Sequence, residues 1–497
     1  MTNWLPTIPA GKGPMYVRLA DQIADDISTG TLPPGTKLPP QRNVAYDLGV
    51  TVGTIGRAYA LVRERGLVSG EVGRGTYVLG SPNNGPEAAS SSNGFSPSST
   101  TLSGTSAAFR QTGGAGTAQD LEGTRSVLPA PGMIRMDSTS APNVGLQATV
   151  IHDLTNAITK ECAHEIASYT RTKPDSWREA GQTWLARSGW EPDALSVIPT
   201  LGAHAAIIAV IAAITSPGDR IVFEELTYSS IARAVAMTGR QPVSVSRDAA
   251  GPLPDELDRL CSQMHPKAIF VMPTMHNPTL ATMDDTRRKD LVEVARQHNL
   301  WILEDEVYGS LRPTTLRPIA ALAPERTFHV GSLSKTVAAG VRGGWVACAP
   351  GQVQRVMTAH KLLTGGISFL LAELSARLVL SGEAHNLRQR VLGTIERRHA
   401  IALDHLAGME VASAPDAPFL WLKLPEPWLP GTFKAAAAAE SVLIDDEDEF
   451  KTGRSERMYH RVRVGFTNPD TDEEVVRAFT ALRGLLHDST AAYDSFE

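Results

Sequence analysis

Apolar and polar positions follow two different patterns along the 497 residues of this chain. The first pattern has the period of a helix: apolar side chains recur every three or four positions from Met15 to Ser28, and a Pro-Pro-Gly run then ends the helix. We expect a second short helix up to Leu48 and a third from Thr51 to Arg65. Residues 66–78 predict two short strands around a glycine-rich turn. Three helices and such a hairpin are typical of a helix-turn-helix with a wing.

Farther along the chain, short apolar runs alternate with helical patterns such as the one from Thr286 to His298. The apolar runs, which we expect to form strands, include Arg220–Phe223, Ala268–Met272, Trp301–Leu303, Thr327–Val330 and Gly344–Cys348. Buried strands with helices between them predict a mostly parallel sheet covered on both faces. After Pro415, the runs Phe419–Leu424 and Arg461–Val464 indicate a smaller α+β part. The predicted fold class is therefore α/β.

The segment between these two regions has a different composition. Residues 81–130 are rich in Ser, Gly, Thr, Pro and Asn and contain few large apolar side chains, so they cannot bury enough surface to order themselves. We interpret them as a flexible linker with a reach of roughly 35–40 Å. A disordered insertion without a spacing role is the alternative. The sequence thus predicts one domain at residues 1–80, a linker at 81–130 and a second domain at 131–490.

The composition argues against a disulfide-stabilised secreted protein and against a membrane-spanning protein. Apolar residues make up 42 % and charged residues 20 % of the chain, as in an ordinary globular protein. The three cysteines are scattered and odd in number, which favours a reducing compartment, and no spacing among them indicates a metal site. We find neither a signal peptide nor an apolar run long enough to span a bilayer, so we expect a cytoplasmic protein. The net charge is −6.

The third predicted helix carries a polar face suited to the major groove of DNA, because Thr51, Thr54 and Arg57 recur every three residues. The ordered motifs around it are Leu38-Pro-x-x-Arg42, Gly49-Val-Thr-x-x-Thr54, Arg57-Ala-Tyr59, Gly66-Leu67 and Gly73-Arg-Gly-Thr76. Together they resemble the GntR family of winged-helix repressors. The resemblance implies double-stranded DNA as a partner, contacted by Arg42, Thr51, Thr54, Arg57, Arg74 and Thr76. Gly53 and Gly56 interrupt the reading helix, each at a cost of about 0.5–1 kcal/mol relative to Ala.

A second set of polar residues indicates pyridoxal phosphate chemistry. Lys335 follows two serines in a small-residue segment, and Arg342 lies seven residues farther on. Hydroxyls and a guanidinium can hold a phosphate, while a lysine can form a Schiff base with an aldehyde. Asp305 follows a predicted buried strand, where its carboxylate can keep a pyridine nitrogen protonated. A helix that begins after Gly202 can hold the phosphate at its N-terminus.

The order and spacing of these residues resemble the aspartate aminotransferase-like fold of pyridoxal phosphate enzymes (fold type I) over residues 131–490. The resemblance implies that Lys335 is the Schiff-base lysine and Asp305 the partner of the pyridinium. The other cofactor-binding residues that it implies are Asn277 and Tyr308 at the ring hydroxyl, Tyr228 on the ring face, and Ser332, Ser334, Arg342, Gly202, Ala203 and His204 at the phosphate. It further implies an arginine that binds an effector carboxylate through a bidentate contact. We place it at Arg463, while strand alternation leaves Arg461 open.

A winged helix, a linker and an aminotransferase-like domain in this order are the arrangement of the MocR/GabR family of bacterial regulators, which the whole chain resembles. The resemblance implies a transcription factor that binds pyridoxal 5′-phosphate, forms a head-to-tail homodimer and senses an amine or amino acid by aldimine exchange at Lys335. An active aminotransferase with an auxiliary DNA-binding domain is the alternative. A domain that only reports cofactor supply is a third interpretation.

Overall fold

The structure of this chain is a computed structural model. It describes Trp4, Pro6 and residues 15–65, 67–71, 75–79, 132–171, 173–312, 314–453 and 457–487. The chain divides into two compact units, one within residues 1–114 and the other within residues 115–497. The predicted linker, residues 81–130, lies outside the described residues.

Within its described residues, the first unit contains three helices and a hairpin, as the hydrophobic pattern predicts. Its elements are α1 (Met15–Ser28), α2 (Gln41–Asp47), α3 (Val52–Glu64), β1 (Val68–Glu71) and β2 (Gly75–Val78). Ile23 from α1, Val44 from α2 and Ile55 from α3 meet in one apolar core. The hydroxyl of Tyr59 donates a hydrogen bond of 2.9 Å to the carbonyl of Pro39, and burial raises the pKa of this phenol. This bond fixes α3 to the segment before α2.

The hairpin is antiparallel, with Val68 opposite Val78 and Glu71 opposite Gly75. The backbone N–H of Leu38 donates to the carbonyl of Thr76 at 2.7 Å, so β2 is also attached to the segment before α2. Residues 72–74, which complete the predicted wing, are not among the described residues.

The second unit alternates strands and helices. Its helices are α4 (Gln147–Glu161), α5 (Ala163–Ile166), α6 (Ser176–Leu185), α7 (Gly202–Ile214), α8 (Ser229–Met237), α9 (Pro254–Met264), α10 (Asp285–Gln297), α11 (Ile319–Leu322), α12 (Pro350–Thr364), α13 (Phe369–Leu380), α14 (Glu383–His405), α15 (Pro430–Ala439) and α16 (Asp472–His487). Its strands are β3 (Ile134–Arg135), β4 (Val197–Thr200), β5 (Arg220–Glu224), β6 (Gln241–Val245), β7 (Arg247–Asp248), β8 (Gly251–Pro252), β9 (Ala268–Val271), β10 (Trp301–Asp305), β11 (Thr327–Ser332), β12 (Gly344–Ala347), β13 (Val411–Ala412), β14 (Phe419–Lys423), β15 (Val442–Leu443), β16 (Asp445–Asp446) and β17 (Arg461–Gly465).

The central sheet has seven strands in the order β4-β12-β11-β10-β9-β5-β6. The strands from β11 to β6 are parallel to their neighbours, whereas β12 runs antiparallel to both β11 and β4. The prediction of a mostly parallel sheet is therefore confirmed. Such a sheet places the carboxyl ends of its parallel strands along one edge, where ligand sites of α/β proteins form.

A smaller antiparallel sheet, in the order β13-β14-β17-β16, forms the α+β part near the end of the chain. Phe270 and Phe328 of the central sheet and Phe419 of the small sheet belong to one apolar cluster, so the two sheets share a core. Within the described ranges, no helix is both long and apolar enough to cross a membrane.

Helix α6 packs closely on the central sheet at Gly181. A Cβ at this position would lie 2.3 Å from Cδ1 of Trp345 and 2.6 Å from Cγ1 of Val197. We therefore expect Gly181→Ala to lower the free energy of unfolding by about 1–3 kcal/mol, because both neighbours are held in the core. In the control Gly393→Ala in α14, the new Cβ meets nothing within 4 Å. The higher helix propensity of Ala should raise the free energy of unfolding of this variant by up to about 1 kcal/mol. Equal thermal unfolding midpoints for the two full-length variants would contradict this packing.

Candidate functional site

A cavity of about 430 Å³ opens at the carboxyl edge of the parallel strands. Its walls combine the segments that follow β5, β9, β10 and β11 with the first turn of α7. The predicted site residues that line it are Ala203, His204, Tyr228, Asn277, Asp305, Tyr308, Ser332, Ser334, Lys335, Arg342 and Arg463. Residues more than 250 positions apart in the sequence thus meet around one cavity, which is called the Lys335 cavity below.

Lys335 follows the end of β11 and extends into this cavity. Its Nζ donates a hydrogen bond of 3.0 Å to Oγ1 of Thr139 and lies 5.3 Å from the centre of the Tyr308 ring. The hydroxyls of Thr139 and Tyr308 are 2.6 Å apart, so a buried threonine joins the lysine to the tyrosine. Sequence reasoning missed Thr139. The only signal was the hydroxyl run Ser138-Thr-Ser140 after an apolar segment, and that run carries no periodicity.

Asp305 is the last residue of β10 and is 5 % exposed. Its Oδ1 accepts a hydrogen bond of 3.0 Å from the backbone N–H of Val307. Burial raises the pKa of this carboxyl to about 7, while the nearby charge of Lys335 acts in the opposite direction. A further cation beside Asp305, such as a protonated ring nitrogen, would favour its ionised form.

The opposite end of the cavity is built for close approach to the backbone. Gly202 adopts a φ of +81° at the start of α7, and a Cβ added there would lie 3.8 Å from Cζ of Arg342. Behind it, a Cβ at Gly344 would lie 2.8 Å from the Cα of Gly202. At Gly202 the N-terminal backbone of α7 therefore faces the guanidinium of Arg342 with no side chain between them, which suits an anion.

Two serines complete this end of the cavity. Ser332 Oγ donates a hydrogen bond of 2.8 Å to Ser334 Oγ and accepts one of 3.0 Å from the backbone N–H of Ser334. The pKa of His204, also on this wall, is lowered by burial and by the charge of Arg342. Both effects favour the neutral imidazole over the positively charged form.

The remaining side chains surround the space between these two ends. Asn277 is 3 % exposed, and its Oδ1 accepts a hydrogen bond of 2.9 Å from Nη1 of Arg463. Tyr228 is half-buried, and its ring centre lies 6.4 Å from that of His204.

The two candidate arginines of β17 have different surroundings. Arg463 lines the cavity and is paired with Asp445, which accepts from its Nε at 3.1 Å and from its Nη2 at 2.5 Å. Arg461 donates to Glu410 and to the carbonyl of Trp421, away from the cavity. The structure therefore brings Arg463, and not Arg461, to the predicted site. Sequence reasoning missed Asp445, because it belongs to an acidic run in which no pattern distinguishes one carboxylate from the next.

The predicted DNA-contacting residues are described only in part. Thr51 caps α3, since its hydroxyl accepts a hydrogen bond of 3.3 Å from the backbone N–H of Thr54. Arg57 is exposed on α3 and Thr76 is half-buried on β2. The side chain of Arg42 and the whole of Arg74 lie outside the described residues. Gly56 faces α2, because a Cβ there would lie 3.3 Å from Oε1 of Gln41.

The residues of the cavity fit pyridoxal 5′-phosphate. Lys335 offers an amine to the aldehyde, and the buried carboxylate of Asp305 offers a counter-charge to the ring nitrogen. The Cβ-free turn at Gly202, together with Arg342 and the two serines, offers a cradle for the phosphate. Fold and cavity therefore define a pyridoxal phosphate-binding protein of the aspartate aminotransferase-like fold.

Comparison with known protein families identifies both units. The chain belongs to the family Aminotransferase class I and II, which matches residues 140–479. The family of bacterial regulatory proteins named gntR matches residues 15–78. The chain is thus a fusion of a GntR domain and an aminotransferase-like domain, as in MocR-type regulators, and its cofactor is pyridoxal 5′-phosphate.

The chain is similar over nearly all of its length to proteins named as HTH-type transcriptional regulators. It is 29 % identical to the uncharacterized HTH-type transcriptional regulator YdeF of Bacillus subtilis (strain 168), over 98 % of both chains. It is 24 % identical to the uncharacterized HTH-type transcriptional regulator YdcR of Escherichia coli (strain K12), over 93 % of this chain and 97 % of that protein.

Solved structures share the fold of the second unit. An archaeal alanine:glyoxylate aminotransferase has a TM-score of 0.65 at 21 % identity and covers 72 % of this chain and 91 % of its own. A kynurenine aminotransferase of Pyrococcus horikoshii has a TM-score of 0.62 at 23 % identity and covers 72 % of this chain and 92 % of its own.

His360 on α12 supports the turn before Gly202, because its Nε2 accepts a hydrogen bond of 3.2 Å from the backbone N–H of Leu201. Burial and the charge of Lys173 lower the pKa of His360 from 6.5 to about 4. The unfolded chain therefore binds this proton first, and the contribution of His360 to stability is present above pH 6.5 and lost as the pH falls towards 4.

We expect His360 to account for a loss of about 2 kcal/mol in the free energy of unfolding between pH 7 and pH 5. His360→Gln keeps an acceptor for Leu201 but does not titrate, so its unfolding should depend less on pH by that amount. Chemical denaturation of both proteins at the two pH values measures the difference. Parallel pH profiles would contradict this role of His360.

Proposed function

We propose that this protein is a transcriptional regulator whose binding to DNA responds to an amine or amino-acid effector, and that the effector acts on the pyridoxal phosphate at Lys335. The observation that carries the proposal is the Lys335 cavity itself: a lysine, a buried aspartate and an anion-binding turn in a chain that also has a GntR domain. The GntR domain makes DNA a partner of the chain. The cavity provides a place where a small amine can change the state of the protein.

When bound, pyridoxal phosphate supplies an aldehyde with which an amine can condense and a ring that withdraws electrons. Asp305 would hold the proton on the ring nitrogen, while Asn277 and Tyr308 would bind the ring hydroxyl and Tyr228 would cover a ring face. The groups that would bind the phosphate are Ser332, Ser334, Arg342 and the first turn of α7, from Gly202 to His204. Thr139 holds the Nζ of Lys335 next to Tyr308, so the amine is oriented before it reacts.

An effector amine that took the place of Lys335 on the cofactor would release the lysine side chain into the cavity. The freed lysine amine would take up the proton that the incoming amine loses, and it could then donate a hydrogen bond to the Thr139 hydroxyl. We propose that this exchange of contacts changes the arrangement of a head-to-tail homodimer, and with it the distance between two winged helices on their half-sites. Exposed Leu362 and Leu363, next to each other on α12, support a contact between subunits.

A working aminotransferase is the second candidate, and the same cavity favours it, because the groups that would bind the cofactor and assist its withdrawal of electrons surround one cavity. The two functions differ in the step that comes after an amine has bound. Sustained turnover of an amino donor and a keto acid would support the enzyme. A response of DNA binding without turnover would support the regulator, and a response to pyridoxal phosphate without any amine would indicate a sensor of cofactor supply.

We expect Lys335→Ala to remove the effect of amines on DNA affinity while leaving DNA binding itself intact, because the lysine lies in the second unit and the DNA-reading helix in the first. Lys423→Ala is the matched control, since Lys423 pairs with Glu410 at 2.8 Å outside the Lys335 cavity. Titration of labelled DNA from upstream of the gene, with and without an amine panel, provides the measurement. An unchanged amine response in Lys335→Ala would disprove the mechanism.

If the guanidinium of Arg57 reads a base, Arg57→Ala should weaken specific DNA binding by about 1–3 kcal/mol. If it binds a phosphate instead, the slope of log affinity against log salt concentration should become smaller by about one, because one counterion fewer is released. Arg63→Ala is the control: it removes the same charge from the same helix, six residues farther along, on a different face. Fluorescence anisotropy at several salt concentrations distinguishes the two contacts. Equal losses in both variants would argue against a DNA-reading face at Arg57.

A further inference from the structure

Four of the five N–H groups on the cavity guanidinium of Arg463 already have acceptors within this chain. It donates to Asp445 through Nε and Nη2, to the carbonyl of Asp137 at 2.9 Å and to Asn277 at 2.9 Å. A guanidinium has five N–H groups, so a single N–H on Nη1 is left for a ligand. A bidentate contact with a carboxylate needs two neighbouring N–H groups. The arginine that the sequence predicts to bind an effector carboxylate is therefore not free to do so in this way.

The partner of Arg463 is fixed by the sheet. Asp445 on β16 lies directly opposite Arg463 on β17, so the register of two antiparallel strands brings the side chains together. Both side chains are almost fully buried, with exposures of 1 % for Arg463 and 4 % for Asp445. The rings of Phe419 and Phe450 lie 5.4 Å and 4.8 Å from the guanidinium carbon. Because the pair is enclosed on several sides, the guanidinium has little room to turn towards a ligand.

The pair also cancels the charge that would attract a carboxylate. At short range and away from water, the carboxylate of Asp445 offsets the positive charge of Arg463. Lys335 and Arg342 are the other cations on this cavity wall, as far as the described residues go, and the proposed function assigns them to the aldehyde and the phosphate. A carboxylate beside the reacting amine would lose its hydration without gaining an uncompensated cation, which is unfavourable.

We propose that the effector is a primary amine without a carboxylate on the carbon that bears the amino group, and that Asp445 sets this preference. The proposal rests on the function proposed above and narrows the effector to one chemical class. The neutral hydroxyls of Ser138, Thr139 and Ser140 line the same cavity. A ligand that has no carboxylate needs no cation beside it and can pack against these hydroxyls.

The test titrates the full-length protein, loaded with pyridoxal phosphate, with matched pairs of probes: phenethylamine against phenylalanine, cadaverine against lysine and putrescine against ornithine. The visible circular dichroism of the bound cofactor reports the replacement of Lys335. In every pair that responds, we expect the half-maximal concentration of the amine to be lower than that of the amino acid by about tenfold or more. The reason is that the carboxylate of the amino acid gains no charge-assisted hydrogen bond in the cavity. An amino acid that acts at an equal or lower concentration would overturn the proposal and leave the proposed function standing.

If no probe of either class changes the signal, the effector function at Lys335 fails, and the proposal fails with it.

The variant Asp445→Asn identifies the cause of a preference for amines. It keeps the shape of the side chain and one acceptor for Arg463 but restores the positive charge, so the amino acid of each pair should gain about tenfold relative to its amine. Retention of the cofactor band verifies that the variant folds, and Asp445→Ser repeats the test with a smaller acceptor.

Asp446→Asn is the matched control. Asp446 is the next residue of β16, and its carboxylate pairs with Lys434 at 3.3 Å instead of with Arg463. The same loss of negative charge one residue away should leave the ratio of amine to amino acid as in the unaltered protein. A ratio unchanged in Asp445→Asn, or changed equally in both variants, would overturn the role of Asp445.

Discussion

The carboxylate of Asp305 sits in the wall of a cavity where little water reaches it, at the end of a strand that is buried on both faces. Burial is the main cause that raises its pKa to about 7, so this position is costly for an ionised carboxylate unless a cation joins it. The parallel sheet fixes where that cation must lie, because the ends of β9, β10 and β11 meet at one edge and deliver Asn277, Asp305 and Lys335 around the same space. The cofactor fits as the group that satisfies this arrangement.

Much of this arrangement could be predicted from the sequence. The interior strands are apolar on both faces and stand out from their surroundings, and the residues that follow them are polar groups with few alternative uses. The edge strands gave weaker signals: β6 mixes exposed and half-buried residues, and β4 contains Pro199, which lacks a backbone donor and is tolerated at a sheet edge.

The contacts inside the cavity could not be predicted in the same way. Thr139 reaches Lys335 from a segment 196 residues earlier in the chain, and Asp445 meets Arg463 only because two short strands pair in one register. Neither contact leaves a periodic trace in the sequence. The predicted DNA-reading face was easier to propose, because Thr51, Thr54 and Arg57 lie within two turns at the start of one helix, although Thr51 also caps that helix with its hydroxyl.

The central claim is that the state of the Lys335 cavity controls the binding of DNA by the other unit of the chain. The most direct test is the affinity of the purified protein for DNA from upstream of its own gene, measured at one fixed salt concentration as apoprotein, with pyridoxal phosphate, and with pyridoxal phosphate plus a primary amine. Our account predicts specific binding whose affinity changes when the amine is added to the cofactor-loaded protein. Specific binding with the same affinity in all three states would contradict it.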